Sequence, residues 1–235
     1  MLESAIHGRI SLSRYRLPVP SYVPGILARG PWDPESIDAR WRSESFEPAT
    51  DVIEAADQAL DALRARGSPS HDGFAARLSS FQATPGGLAL ELQPVRWALR
   101  LLPGMASRSL AALCVVRAAD GSWLAGRRAS WLATWPSRWA LGAGGSVEVD
   151  ENPTDALGRE LREEWSVEPD RLTVEALVLL PTELVMLVGQ AWLADGATVS
   201  PDDEHDDFAW WPADVSRWPD EADEPLRRMA TLLSG

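Results

Sequence analysis

Gly144-Gly145-Ser146-Val147-Glu148-Val149-Asp150-Glu151-Asn152-Pro153-Thr154-Asp155-Ala156-Leu157-Gly158-Arg159-Glu160-Leu161-Arg162-Glu163-Glu164-Trp165-Ser166-Val167 is the stretch from which the rest of the chain is read. It begins inside a glycine loop that opens at Gly142 and runs to Asn152. Pro153 suits the first turn of a helix and Asp155 suits its positive N-terminal end, so a helix is predicted to about Trp165. Ala156, Leu157 and Leu161 form its apolar stripe. Glu160, Glu163 and Glu164 stand at i, i+3 and i+4 and therefore share one side. Like charges at that spacing repel one another unless a cation lies between them. An all-oxygen donor set suits a hard ion, magnesium or manganese, and a helix presents it rigidly. The reading requires the three carboxylates not to diverge and not to be closed off in ion pairs with arginines. Gly142, Gly144 and Gly145 are expected to take backbone conformations closed to other residues and to let a phosphate approach the main chain. Arg159 is expected to fold back on Glu151 and brace the loop.

Outward from this segment, Leu110 to Arg117 reads as a buried strand, and Asp120-Gly121 as a tight turn into a partner strand, Trp123 to Arg127. Trp139 to Leu141, Leu172 to Leu180, Leu184 to Leu193 and Phe208 to Trp211 read as further strands, and Pro225 to Leu233 as a closing helix. Towards the N-terminus, residues 1 to 47 read as a proline-rich, irregular lead-in that packs on the rest. Residues 49 to 66 carry apolar positions at helical spacing. Gly73 to Phe81 and Leu88 to Leu102 read as strands, with Pro103-Gly104 as a break. The alternation predicts an α/β domain, a mixed sheet covered by helices, over residues 108–235, preceded by an α+β extension over 1–107.

The formal net charge of −13 repels a nucleic-acid backbone, so a polymeric nucleic-acid partner is not expected. Every basic residue is arginine. A small phosphorylated ligand remains compatible with an acidic chain if a divalent ion supplies local positive charge. The apolar runs are too short to span a bilayer, and the N-terminus, with Glu3 and His7, has no apolar signal core. A cytoplasmic location without a membrane partner is therefore expected. The lone Cys114 sits in an apolar run and reads as a core residue. His7, His71 and His205 show no zinc spacing. Trp131 and Trp135 are the tryptophans best placed to stack on a base, and Arg127, Arg128 and Arg138 are candidates for phosphate contact. His205 reads as a solvated loop residue, with a base or a metal ligand of the site as the alternative reading.

The central segment resembles the Nudix box: glycine, five residues, glutamate, seven residues, then Arg-Glu, an aliphatic residue, any residue, Glu-Glu, any residue, glycine and an aliphatic residue. Gly145, Glu151, Arg159, Glu160, Leu161, Glu163, Glu164 and Val167 fall in register, and Ser166 replaces the last glycine. The resemblance covers roughly residues 108 to 234 and implies an α/β/α sandwich. It implies a hydrolase that cleaves the diphosphate of a nucleoside diphosphate linked to another moiety, such as a nucleotide sugar, ADP-ribose or a similar small nucleotide. On this resemblance Glu160, Glu163, Glu164 and Glu148 hold Mg2+ or Mn2+. Glu163 or Glu164, and then Glu204, are the candidate bases, and Glu151 with Arg159 is the structural brace. Gly144, Gly145, Arg127, Arg138 and Trp135 are assigned to the substrate. Serine at 166 is expected to enter the left-handed cap at modest cost without loss of metal binding. The segment from His71 to Leu78, with the strands after it, resembles the pre-domain of Nudix proteins that cleave UDP-sugars, so a role in substrate choice or a homodimer is expected. Two other classes remain: a non-catalytic nucleotide-binding regulator, and an isopentenyl-diphosphate isomerase that would use Cys114.

Overall fold

The computed structural model describes residues 24–68, 72–102, 107–132 and 134–234. Most of the first half of the expected lead-in, His7, His71 and the Pro103-Gly104 break lie outside them. In chain order the elements are β1 (Gly25–Trp32), β2 (Ile37–Trp41), α1 (Thr50–Ala65), β3 (Phe74–Thr84), β4 (Gly87–Arg96), β5 (Leu110–Arg117), β6 (Trp123–Arg128), β7 (Trp139–Leu141), β8 (Ala143–Ser146), α2 (Pro153–Trp165), β9 (Arg171–Leu179), β10 (Val185–Trp192), β11 (His205–Trp211) and α3 (Glu224–Leu233). The main sheet runs β1-β9-β10-β5-β6-β11, with β7 added to β6 and β8 to β5. It is mixed, because β10 and β5 are parallel while its other pairs are antiparallel. A second sheet, β2-β4-β3, comes wholly from the extension.

The layers follow from burial. Ala156, Leu157 and Leu161 of α2 share one core with Leu187 of β10, Leu124 of β6 and Leu88, Leu90 and Leu92 of β4. That core seats α2 between the main sheet and the extension. The opposite face of the sheet packs on α3 through Trp123, Trp211, Trp218, Leu226 and Ala230. Trp211 stands 4.9 Å from Trp218 and 5.5 Å from Trp139, so these tryptophans spend their area on packing. The fold is thus the α/β sandwich with mixed sheet that was expected.

Three expectations are corrected. The lead-in is not irregular over residues 25–41, since β1 pairs with β9 and β2 with β4. Pro31 is tolerated in β1 because the strand lies at the sheet edge, where a missing N–H forfeits little. The strand expected to reach Leu102 ends at Arg96, and Trp97–Leu101 forms a 3-10 turn. Its Ala98 and Leu99 pack on Ala56 and Leu60 of α1, and a short apolar run suits either geometry. Finally, β5 and β6 are not a full hairpin, because they pair only at Arg117 and Trp123. β8 takes the edge of β5 from Ala111 to Cys114, and β7 takes β6. Gly142 makes this exchange possible. Its φ of 64° turns the chain, and a Cβ there would stand 1.9 Å from the Cys114 carbonyl oxygen.

Candidate active site

Helix α2 is defined at both ends by its own residues. The Asn152 side chain accepts the Thr154 N–H at 3.1 Å, and Pro153 needs no partner in the first turn. Ser166 closes the helix in the left-handed region, at φ 54° and ψ 39°, as expected for the residue replacing glycine. Glu160 and Glu164 are buried on the side of α2 that faces the glycine loop, while the Glu163 side chain is 58% exposed.

The glycines serve these carboxylates. Glu164 Oε1 accepts the Gly144 N–H at 2.9 Å. A Cβ on Gly145 would lie 2.3 Å from Glu160 Oε1, so this residue leaves the space the carboxylate fills. The loop expected to open at Gly142 is in part strand β8, which holds Gly144 and Gly145; neither has a positive φ, and of the three glycines only Gly142 does. The expectation of unusual backbone therefore holds only at Gly142, and Gly144 and Gly145, in β8, pack closely against the helix.

Arg159 does more than brace the loop. Its guanidinium donates to Glu151 Oε1 at 2.8 Å and Oε2 at 3.0 Å, and to the Ser146 carbonyl at 3.0 Å. It also donates to Glu160 Oε1 at 2.7 Å and Glu163 Oε2 at 3.0 Å. Two of the three helix carboxylates are therefore ion-paired, contrary to the expectation that arginines leave them free. The pairs do not seal them, because one nitrogen serves both and Glu163 is largely in water, where an ion pair is worth little. Among the described residues Glu164 pairs with no arginine, and its buried Oε2 has no hydrogen-bond partner. Among the described residues no three acidic, histidine or cysteine side chains stand close enough together to hold a metal ion as placed. Repulsion among the carboxylates and the insertion of Arg159 account for that spacing.

The loop after β10 docks on the C-terminal end of α2. The N–H groups of Ser200 and Asp202 donate to the carbonyls of Trp165 and Glu164, at 2.9 Å each, and so satisfy groups a helix end leaves open. That docking brings Glu204 into the electrostatic neighbourhood of the helix carboxylates. Burial raises the pKa of Glu160, Glu164 and Glu204 above the usual carboxylate value, Glu164 well above it. Arg159 opposes the rise at Glu160, the Gly144 N–H and then Arg128 at Glu164, and Arg128 at Glu204. His205 is not solvated as expected. It is buried, with its ring 4.4 Å from that of Trp165, its Nδ1 3.3 Å from Asp202 Oδ1, and its Nε2 3.6 Å from Glu164 Oε2.

Three residues assigned to the substrate, Arg127, Arg138 and Trp135, do not line the cavity beside Glu160. Alternate residues of a strand point to opposite faces. Leu124 packs with α2, whereas Ala125 packs on the α3 side, so Arg127 follows Ala125 and Arg128 follows Leu124. Arg128 accordingly reaches to 3.7 Å from Glu204, while Arg127 lines a cavity with Arg138, Trp139 and Asp223. Arg138 is ion-paired with Asp223. Trp135 is exposed and lines neither that cavity nor the one beside Glu160. Glu148 is exposed, donates its N–H to Glu151 at 2.9 Å, and does line the cavity beside Glu160.

That second cavity, of about 280 Å³, is bounded by Gly73, Phe74, Ala75 and Trp97 from the extension and by Ser146, Val147, Glu148, Arg159 and Glu160 from the box. Sequence reasoning missed Phe74 and Trp97. No local pattern marks them, because they reach the box only when Ala76 donates to the Val147 carbonyl at 2.8 Å and β3 bridges to Glu148. Cys114 is fully buried in β5, which pushes its thiol pKa up and removes it from acid-base chemistry.

No curated protein is similar enough in sequence to count as a match. Among solved structures the chain is similar to a protein from Deinococcus radiodurans, at 23% identity over 51% of this chain and 82% of that one, with a TM-score of 0.42. It is similar to the NUDIX domain of a Shewanella oneidensis protein complexed with ADP-ribose, at 20% identity over 55% and 89%, with a TM-score of 0.43. It is also similar to a C. elegans Ap4A hydrolase, at 16% identity over 54% and 95%, with a TM-score of 0.42. The family model described as the NUDIX domain matches residues 107–233, which is more than half of the chain and spans β5 to α3. The carboxylate helix, its glycine loop and the sheet that carries them therefore belong to a member of the NUDIX domain family.

Proposed function

We propose that the chain is a divalent-metal-dependent pyrophosphohydrolase that cleaves the diphosphate of a small nucleoside diphosphate linked to another group. The family supports the reaction class. The observation that carries the reading is the buried carboxylate Glu164, whose Oε2 has no hydrogen-bond partner among the described residues and faces His205 Nε2 at 3.6 Å, set beside Glu160 and Glu204. Burying an unpaired carboxylate is costly, and it is retained where a bound cation or proton completes it.

The donor set fits magnesium or manganese. Glu160, Glu163 and Glu164 would hold the ion, with Glu148 on the rim of the adjoining cavity as a further oxygen donor. When bound, the ion neutralises charge on the phosphate oxygens and lowers the pKa of water. The rest falls to this chain's residues. Gly144 orients Glu164, Arg159 holds the loop and helix together, and Glu163, Glu164 and Glu204 are the carboxylates available to take the proton from water.

A screen of nucleotide sugars and ADP-ribose with magnesium and manganese tests the reading, comparing the wild-type protein with Glu163→Gln. Turnover by the wild type and a loss on the order of a hundredfold or more in the variant are expected. Equal turnover by the two proteins removes the assigned site.

A further inference from the structure

We propose that the N-terminal extension forms the nucleoside end of the substrate site, with Phe74 and Trp97 stacking on one base and Arg100 taking a phosphate of the attached diphosphate. The choice of ligand rests on the hydrolase reading above.

Three observations carry the inference. First, the cavity next to Glu160 has one aromatic wall. Phe74, at the start of β3, is 59% exposed there, and Trp97 follows β4. An aromatic face left open beside carboxylates gains little from water and much from a planar base. Second, Arg100 is a partly buried cation without an anion. It donates to Ser146 Oγ, its guanidinium stands 5.6 Å from the Trp97 ring, and no carboxylate lies within ion-pair range of it among the described residues. The neighbouring arginines are different: Arg96 is held by Asp57 and Asp72, and Arg159 by Glu151. Burial and the charge of Arg128 push the Arg100 pKa down to about 10, while Glu160 opposes the change. A desolvated guanidinium that among the described residues has a hydroxyl and an aromatic ring but no anion beside it is the kind of group a phosphate completes, because its planar donors match two phosphate oxygens.

Third, the sizes agree. The cavity, at about 280 Å³, lies just under the roughly 300 Å³ at which ligand cavities begin and has a single aromatic wall. It suits one nucleoside, whose diphosphate then runs past Arg100 towards Glu160 and Glu164. The substrate class this favours is a nucleoside diphosphate joined to a non-aromatic group such as a sugar, rather than a dinucleotide held at both ends.

Calorimetric binding of ADP and UDP in the presence of magnesium tests this without turnover. The wild type is expected to bind at least one of them. Arg100→Met should weaken that binding about tenfold to a hundredfold, the scale of a lost charge-assisted hydrogen bond, with Arg100→Lys in between. Trp97→Ala should weaken it about tenfold. Because Arg100 gives up no ion pair, Arg100→Met should melt no lower than the wild type. A lower melting temperature with unchanged nucleotide affinity would make Arg100 a structural strut and overturn the proposal, as would a wild type that binds neither nucleotide. Binding that depends on these residues without any diphosphate hydrolysis would support the pocket and refute the hydrolase reading instead.

Discussion

Two surface cavities among the described residues carry similar side chains and different accounts of charge. The larger, about 570 Å³, is lined by Arg127, Arg138, Trp139, Asp207, Glu221 and Asp223 among others. Its charges are paired or lie in solvent: Arg138 pairs with Asp223, Asp223 also caps α3 by accepting the Leu226 N–H at 3.1 Å, and Arg127 is exposed. The smaller cavity, beside Glu160, adjoins an arginine that among the described residues has a hydroxyl and an aromatic ring but no anion as partner, and behind Glu160 lies a carboxylate oxygen, Glu164 Oε2, with no hydrogen bond and only His205 Nε2, at 3.6 Å, opposite it. Arginines and tryptophans near an opening do not mark a ligand site. A desolvated charge left incomplete does, because the fold bears its cost without recovering it internally.

The contrast can be broken most directly at Gly145. Alanine there places a methyl group 2.3 Å from Glu160 Oε1 and must move the carboxylate. Because a flexible side chain absorbs the displacement, melting should change little, while kcat/KM on a diphosphate substrate should fall by about a hundredfold, the scale of a misplacement near 1 Å. An unchanged rate would remove Glu160 from the catalytic set.

A second test sharpens it at Glu164. Burial raises the pKa of this group in the folded state, so the folded protein binds its proton more tightly than the unfolded chain does. That contribution to stability is present at low pH. It is lost as pH climbs from the ordinary glutamate value of 4.5 through the raised value. Without metal, Glu164→Gln should therefore melt near the wild type in acid and above it at neutral pH, by about 3 °C for each kcal/mol of relief. The variant keeps an oxygen to accept the Gly144 N–H, which isolates the charge. A wild type that gains stability over the variant as pH rises would contradict the assignment of an incomplete buried carboxylate. The smallest effect belongs to the larger cavity. Arg138→Gln removes an exposed ion pair, so activity should change less than about twofold and melting by no more than about 3 °C. A large loss of activity there would shift the substrate to that face of the sheet.

Much of the molecule was legible along the chain. Helix α2, its apolar stripe and its serine cap depend on residues within a few positions of one another, and β5, β7, β9 and β10 depend on short apolar runs with turn residues at their ends. The spacing of Glu160, Glu163 and Glu164 places them on one side of a helix wherever that helix is packed. Only the tertiary structure decided which strand β5 would take as neighbour, that Arg128 rather than Arg127 would approach Glu204, and that Gly145 would make room for the Glu160 carboxylate. It also brought Phe74, Trp97 and Arg100 to the box from about fifty to seventy residues away. The reason is physical. Helical period and capping are local backbone energetics written in neighbouring residues, whereas strand partners and cavity walls are chosen by which distant surfaces bury one another best.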